Sequence, residues 1–431
     1  MLKYYLWNIG CQMNKAESER LAACAESLGY SSVPGPHGAD LVVMNTCVVR
    51  GSAEGRVLGE LSYLKGLKKE QPCTAIAVTG CFVEADTDEM KRRFPHVDRF
   101  FPAGEHSSFR DWLAEMPRGE TSQRTGPESD CRSATSYVPI MQGCNNFCSY
   151  CIVPFRRGRE RSRPPYEVVR EVEGLVSRGV REVTLLGQNV NSYGRDLAQS
   201  AGLGSLLEMV NGVRGLFRAR YLTSHPRDVD RGFIDALAGL DKVCEWINLP
   251  VQAGDDRILA KMRRGYTASQ YQSLVAELRE RVPGIAISTD VIVGFPGETE
   301  AEFNRTTELL SDLRLDAVHV AAYSPRPGTL AANTMADDVS PLVKASRLRL
   351  IEEMQEQICL EIDRALVGTR VEVLVERKNK GKWEGRTRTN KLVFFVDLAD
   401  WQRRLATIEI TSASPWSLQG KLALETEGVL R

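Results

Sequence analysis

This 431-residue chain lacks any net charge: 56 Lys and Arg are balanced by 56 Asp and Glu. A surface that binds a polyanion must therefore be local. The opening MLKYYLWNIG lacks the basic and apolar regions of a secretory signal, and no apolar run approaches the roughly 18 residues of a membrane span. A soluble, cytoplasmic protein with no membrane partner is expected. A disulfide framework is not, because the 11 cysteines are an odd number in a long chain. Metal ligation or catalysis is the better expectation.

The length suits about three domains at roughly 150 residues each. Near the start, the strand-like runs YYLWNI (4–9), LVVMN (41–45) and AIAVTG (75–80) alternate with helical stretches such as 14–28. Apolar strands separated by helices predict a parallel sheet covered on both faces. Residues 118–135 are polar and aperiodic and read as a linker. Six strand candidates follow, at 137–141, 182–187, 218–224, 245–251, 286–295 and 316–324, with helix candidates such as 165–177, 229–239, 267–281 and 299–313 between them. This alternation predicts an open or partial α/β barrel. Beyond about 367 helical periodicity stops, and short strands at 369–376, 382–389, 392–397 and 406–411 predict a small β-barrel. The expected class is α/β: an N-terminal parallel α/β domain (1–117), a linker (118–135), a partial (βα)6 barrel (136–366) and a C-terminal β-barrel (367–431).

The segment Gly143-Cys144-Asn145-Asn146-Phe147-Cys148-Ser149-Tyr150-Cys151 sets three thiols within eight residues, just after the first strand of the six. One loop with this spacing can wrap an iron–sulfur cubane. Three ligands leave one iron open to the amino and carboxylate groups of a small molecule, as reductive cleavage of S-adenosylmethionine requires. The position agrees, since α/β barrels bind ligands at the C-terminal strand ends. The competing reading is a zinc knot completed by a residue such as Cys131, although zinc sites more often use paired C-x-x-C spacings.

Cys11, Cys47 and Cys81 each lie at the C-terminal end of a strand candidate. In one parallel sheet such ends share an edge, so the three converge on a common site. The alternative is three unrelated strand-end cysteines. Cys24, Cys73, Cys131, Cys244 and Cys359 read as small apolar or loop residues. Other polar groups fall on the strand-end loops: Gln188 and Asn189, Ser224 and His225, Ser288, Thr289 and Asp290, and the turn from Gly294 to Glu298. Each also has a plain turn or structural reading. No general acid or base is assigned.

The Cys-x-x-x-Cys-x-x-Cys pattern with Tyr150 before its last cysteine resembles the radical S-adenosylmethionine superfamily. The adjoining VPFRRGRERSR (153–163) narrows the resemblance to the methylthiotransferases, and it extends over nearly the whole chain. The NIGCQMN (8–14), NTC (45–47) with Arg50 and Glu54, and TGC (79–81) segments are similar to that family's N-terminal domain. The resemblance implies two 4Fe-4S clusters: a radical-generating one on Cys144, Cys148 and Cys151, and an auxiliary, sulfur-carrying one on Cys11, Cys47 and Cys81. It implies S-adenosylmethionine contacts from Tyr150, Gln188, Asn189, Ser224, Asp290 and Gly294.

The tail resembles the family's RNA-binding TRAM domain. Between residues 377 and 391 seven basic residues accompany a single acid. Of these, Arg377, Lys378, Lys380, Lys382, Arg386 and Arg388 are expected to meet phosphates, and Trp383 to stack on an unpaired base. The plainer reading is a solvated basic hairpin. Residues 156–163 add five arginines near the radical site. The LLGQNVN (185–191) and SHP (224–226) segments look like the isopentenyladenosine branch. The function implied is therefore methylthiolation of C2 of N6-isopentenyladenosine next to the tRNA anticodon, with tRNA, an electron donor such as flavodoxin or ferredoxin, and a sulfur source as partners. The alternatives are threonylcarbamoyladenosine in tRNA, a ribosomal-protein aspartate, or a non-catalytic zinc-containing RNA-binding protein.

Overall fold

The structure, a computed structural model, describes residues 2–48, 51–84, 86–116, 133–198 and 201–423. The first sheet contains β1 (Leu2–Asn8), β2 (Tyr30–Ser32), β3 (Leu41–Thr46), β4 (Ala75–Gly80) and β5 (Arg99–Phe101) in the order 2-1-3-4-5. All its pairings are parallel. Every residue of β3 and β4 is buried, because alternate side chains feed two cores. Val42, Met44, Ile76 and Val78 pack with the Gly51–Glu70 helix, and Leu41, Val43, Ala75 and Ala77 with the Gln12–Ser27 and His106–Glu115 helices. The strand order reverses between β1 and β3. Ligand crevices of open α/β sheets form at such a switch point, beyond the C-terminal strand ends.

Next come β6 (Thr135–Pro139), the short hairpin strands β7 (Met141–Gln142) and β8 (Arg161–Ser162), then β9 (Glu182–Leu186), β10 (Arg218–Leu222), β11 (Trp246–Asn248), β12 (Ala286–Val293) and β13 (Ala317–Ala322). β6, β9 and β10 form one parallel sheet and β11 to β13 another. A parallel bridge from Ala219 to Val243 joins them, which gives the expected six-stranded partial barrel. The helix predicted at 165–177 spans Pro165–Ser177, with proline in its first turn where a missing N–H costs nothing. The strand expected at 218–224 stops at Leu222, because Thr223 turns to φ +74°. Of the expected linker, residues 118–132 lie outside the described residues, and Thr135 already belongs to β6.

The C-terminal unit is a closed barrel of β14 (Arg370–Asn379), β15 (Lys382–Thr387), β16 (Leu392–Phe395), β17 (Leu405–Ser414) and β18 (Ser417–Leu422), in the order 14-15-16-18-17. The last of these strands is additional to the expected four. Two arginines of β10 dock this barrel. Arg218 donates to the Arg386 carbonyl at 2.7 Å, and Arg220 to the Thr387 and Arg388 carbonyls at 2.6 and 2.7 Å. Arg388 returns to Glu245 at 2.7 Å. These contacts lie at the strand starts, at the end of the partial barrel away from the cysteine loops. Among the described residues no helix is long and apolar enough to cross a membrane.

Candidate functional site

Cys11, Cys47 and Cys81 follow β1, β3 and β4 on the same sheet edge, at the switch point. Cys11 is the N-cap of the Gln12–Ser27 helix, where backbone N–H groups and the helix dipole favour an anion. Buried asparagines hold the strand ends together. Asn14 donates to Asn45 Oδ1 at 2.9 Å and to the Thr46 carbonyl at 2.8 Å, and Asn45 donates back to the Asn14 carbonyl at 2.8 Å. Gly80 adopts φ +95°, and a Cβ there would lie 2.2 Å from the Thr46 oxygen, so only glycine lets the Cys81 loop close on Cys47. Arg50, which the family resemblance associates with this site, lies outside the described residues.

Cys144, Cys148 and Cys151 occupy the loop after β6, closed at its base by the pairing of β7 with β8. A Cβ at Gly143 would meet the Arg159 carbonyl at 2.1 Å. The Asn146 N–H reaches Cys144 Sγ at 3.5 Å. Buried Arg264 donates to Cys148 Sγ at 3.4 Å, to the Pro250 carbonyl at 2.7 Å and to the Tyr266 hydroxyl at 2.9 Å. Burial, then the neighbouring Cys148, pushes the Cys151 thiol up to about 12. Burial pushes Cys144 to about 11, with Cys148 adding to it. Desolvated in this way, the Cys144 and Cys151 thiols resist ionisation until a cationic group binds them, which is the expected chemistry of cluster ligands. Among the described residues no three His, Cys, Asp or Glu side chains converge on one metal-ion position. Each cysteine set could offer three sulfurs to a multi-iron cage.

Arg157 connects the two sets. It ends the short Val153–Arg157 helix that follows Cys151. Its Nε–H donates to Cys81 Sγ at 3.2 Å, and its two Nη groups grip the Glu17 carboxylate at 2.6 and 3.2 Å. Arg156 to Glu84 at 2.9 Å, Arg326 to Glu54 at 3.3 Å, and Arg20 to Glu171 at 2.9 Å add ion pairs across the same interface. The N-terminal sheet edge is thereby clamped over the strand ends of the partial barrel. Met13 and Ala16 of the first helix seal the contact against Tyr137, Leu186 and Leu222.

The loops after β9 and β10 carry buried polar atoms without hydrogen-bond partners: Gln188 Oε1, Asn189 Oδ1, both side-chain polar atoms of Asn191, Ser224 Oγ and His225 Nε2. Buried polar groups are normally satisfied, so this set fits a polar ligand such as S-adenosylmethionine. Asp228 ties the loops together. It accepts from Asn189 at 2.7 Å, Arg195 at 2.8 Å and Asn146 at 3.4 Å. Asp290 instead accepts from Asn248 at 3.0 Å, and Gly294 donates to Glu298 at 2.6 Å. Tyr150 packs edge-on against Phe295. Arg157, Arg264 and Asp228 carry no motif signal of their own; the sequence shows Arg157 only as one arginine among five.

The basic run divides. Arg377, Lys378, Lys380 and Lys382 are exposed at the β14–β15 hairpin. Arg386 and Arg388 are turned inward, onto the Asn390 carbonyl and onto Glu245. The expectation for Trp383 is corrected. It is 5% exposed in the barrel core, donates to the Asp397 carbonyl and has Lys378 over its ring, which leaves no face for a base.

Three family models match the chain: "Uncharacterized protein family UPF0004" over residues 3–102, the radical SAM superfamily over 138–310 and the TRAM domain over 364–423. The tRNA-2-methylthio-N(6)-dimethylallyladenosine synthase of Dehalococcoides mccartyi is 50% identical over 419 residues, which are 97% of this chain and 98% of that protein. The protein of the same name from Roseiflexus sp. is 45% identical over 435 residues, 100% of this chain and 91% of the relative. Among solved structures, the radical S-adenosylmethionine methyltransferase TsrM from Kitasatospora setae, with cobalamin and a 4Fe-4S cluster bound, shares the fold. Its TM-score is 0.57 at 16% identity, over 77% of this chain and 74% of that one.

Proposed function

The chain belongs to the tRNA-2-methylthio-N(6)-dimethylallyladenosine synthase branch of the radical S-adenosylmethionine methylthiotransferases, and from that premise we propose that it methylthiolates C2 of N6-isopentenyladenosine (the dimethylallyl base of the relatives' name) beside the tRNA anticodon. The observation that carries this reading is the apposition of two cysteine triplets at two strand-end edges, bridged by Arg157. A protein that only bound RNA would have no use for that arrangement. When bound, S-adenosylmethionine and two 4Fe-4S clusters supply the methyl group, the sulfur and the deoxyadenosyl radical that removes the C2 hydrogen.

The chain's own part is to hold and to orient. Cys144, Cys148 and Cys151 would ligate the radical-site cluster, and Cys11, Cys47 and Cys81 the auxiliary one. Arg264 and Arg157 each give an N–H to one sulfur of their set, a contact that tunes cluster potential. Gln188, Asn189 and Ser224 offer buried polar atoms to S-adenosylmethionine, while Asp228 fixes the loops that present them. The ion-paired interface keeps the two sites in register. Residues 1–117, 136–366 and 367–431 are assigned to the auxiliary-cluster, radical and RNA-binding units. A flavodoxin or ferredoxin would supply electrons, a separate donor would renew the sulfur, and the cytoplasm is where the tRNA substrate is met.

Single Ala substitutions at Cys11, Cys47 and Cys81 test this reading. They should leave anaerobic cleavage of S-adenosylmethionine intact and abolish methylthio product. Full product formation by these variants would defeat it, and colourless protein with stoichiometric zinc would defeat the radical chemistry altogether.

A further inference from the structure

Trp383 is in the core, yet the surface carries another aromatic group, beside the radical-site loop. Phe155 is 53% exposed, although burial of such a side chain is favourable. Phe147, between Cys144 and Cys148, meets it edge-on with ring centroids 5.9 Å apart. The Arg159 guanidinium lies 4.3 Å from the Phe147 ring centroid. Phe147 has φ +48°, a left-handed backbone that is strained for a bulky residue. The loop therefore carries strain that sets this ring next to the cysteines. Phe155 is fixed as firmly, since its neighbours Pro154 and Arg157 are buried and Arg157 is gripped by Glu17.

Arg159, beside the rings, and Arg161, two residues further along the chain, are exposed. Among the described residues neither has a carboxylate within ion-pair distance. Aromatic rings and guanidinium planes stack on unpaired bases, and free arginines meet the phosphates between them. The patch is charged for a polyanion and shaped for a base. We propose that Phe155, supported by Phe147 and Arg159, is the platform on which an unpaired tRNA loop base next to the target adenosine stacks, which holds that adenosine extended toward the site between the cysteine sets. This rests on the tRNA reading above and adds where the RNA is gripped at the reaction end, opposite the strand starts where the β-barrel docks.

The test is anisotropy of a fluorescent anticodon stem–loop carrying N6-isopentenyladenosine, titrated with the anaerobically reconstituted full chain. Stacking is worth about 1–3 kcal/mol per base, so Phe155→Ala should raise Kd about 5- to 150-fold. Its salt slope should stay as in the parent, because no charge is lost. Phe155→Trp should retain binding, and Arg159→Ala should weaken binding and also flatten the salt slope. Tyr63→Ala, at an aromatic residue 45% exposed on the Gly51–Glu70 helix, should bind as the parent does. Parental affinity in Phe155→Ala, with iron content and melting temperature unchanged, would overturn the platform. So would parental RNA affinity combined with a loss of flavodoxin-driven reduction, which would mark the patch as a protein-docking surface. Failure of the parent itself to bind the stem–loop would instead defeat the tRNA reading.

Discussion

Arg157 donates from Nε to Cys81 Sγ at 3.2 Å while Glu17 holds its other two nitrogens. Since Arg157 lies six residues beyond Cys151, one side chain sets the spacing of both cysteine triplets. Glu17→Ala would strand a buried cation, and removing one partner of such a pair costs about 3–5 kcal/mol. Its denaturation midpoint should fall accordingly, and the double variant Glu17→Gln, Arg157→Met should recover much of the loss. Arg157→Lys keeps the charge without the fork. Misplacement on the ångström scale can cost about 10²-fold in a reaction step, so this variant should cleave S-adenosylmethionine while its ratio of 5′-deoxyadenosine to methylthio product rises by about that factor. Quantifying both products by chromatography checks it.

Arg264 should behave differently, because its sulfur partner is Cys148. Removing an N–H···S donor leaves more charge on the sulfur and makes a cluster harder to reduce. Arg264→Gln should move the midpoint potential of the radical site to more negative values and slow cleavage, with the product ratio unchanged. An EPR-monitored redox titration reads the first effect. Uncoupling of the Arg157→Lys kind would contradict the assignment.

His225 predicts an acid-side signature. Burial, then Arg264, pushes its imidazole down from 6.5 to about 3. Between those values the unfolded chain takes up a proton that the folded one refuses. The His225 contribution to stability is therefore intact above 6.5 and lost as pH falls through the window, at up to about 1.4 kcal/mol per pH unit. His225→Asn should flatten this limb in urea denaturation series. An unchanged slope would contradict a buried neutral imidazole.

On the β-barrel, the exposed and the buried parts of the basic run should separate. Lys380→Ala and Lys382→Ala should each lower the slope of log affinity against log salt by about one where they meet phosphate. Trp383→Ala should act on folding, at about 3–5 kcal/mol for an aromatic core truncation, and should leave the RNA affinity of the folded fraction unchanged. Thermal melts beside binding isotherms distinguish the two outcomes.

The strand–helix rhythm and the strand-end positions of the cysteines were legible because buried parallel strands are continuous apolar runs and metal ligands keep local spacing. Trp383 was misread for a local reason. It stands among the exposed cations Arg377, Lys378, Lys380 and Lys382, and a run of charge does not tell which way an aromatic side chain within it faces. Arg157, Arg264 and Asp228 escaped for a different reason. Their partners lie across the fold, 76 residues away for Cys81, 116 for Cys148 and 82 for Asn146. No local pattern records such pairings.

The central claim is chemical, and nucleoside mass spectrometry of tRNA from a strain deleted for this protein tests it most directly. The account predicts that 2-methylthio-N6-isopentenyladenosine disappears, that its isopentenyl precursor accumulates, and that the intact chain restores the product while Cys81→Ala and Cys148→Ala do not. Unchanged tRNA nucleosides in the deletion strain would contradict it.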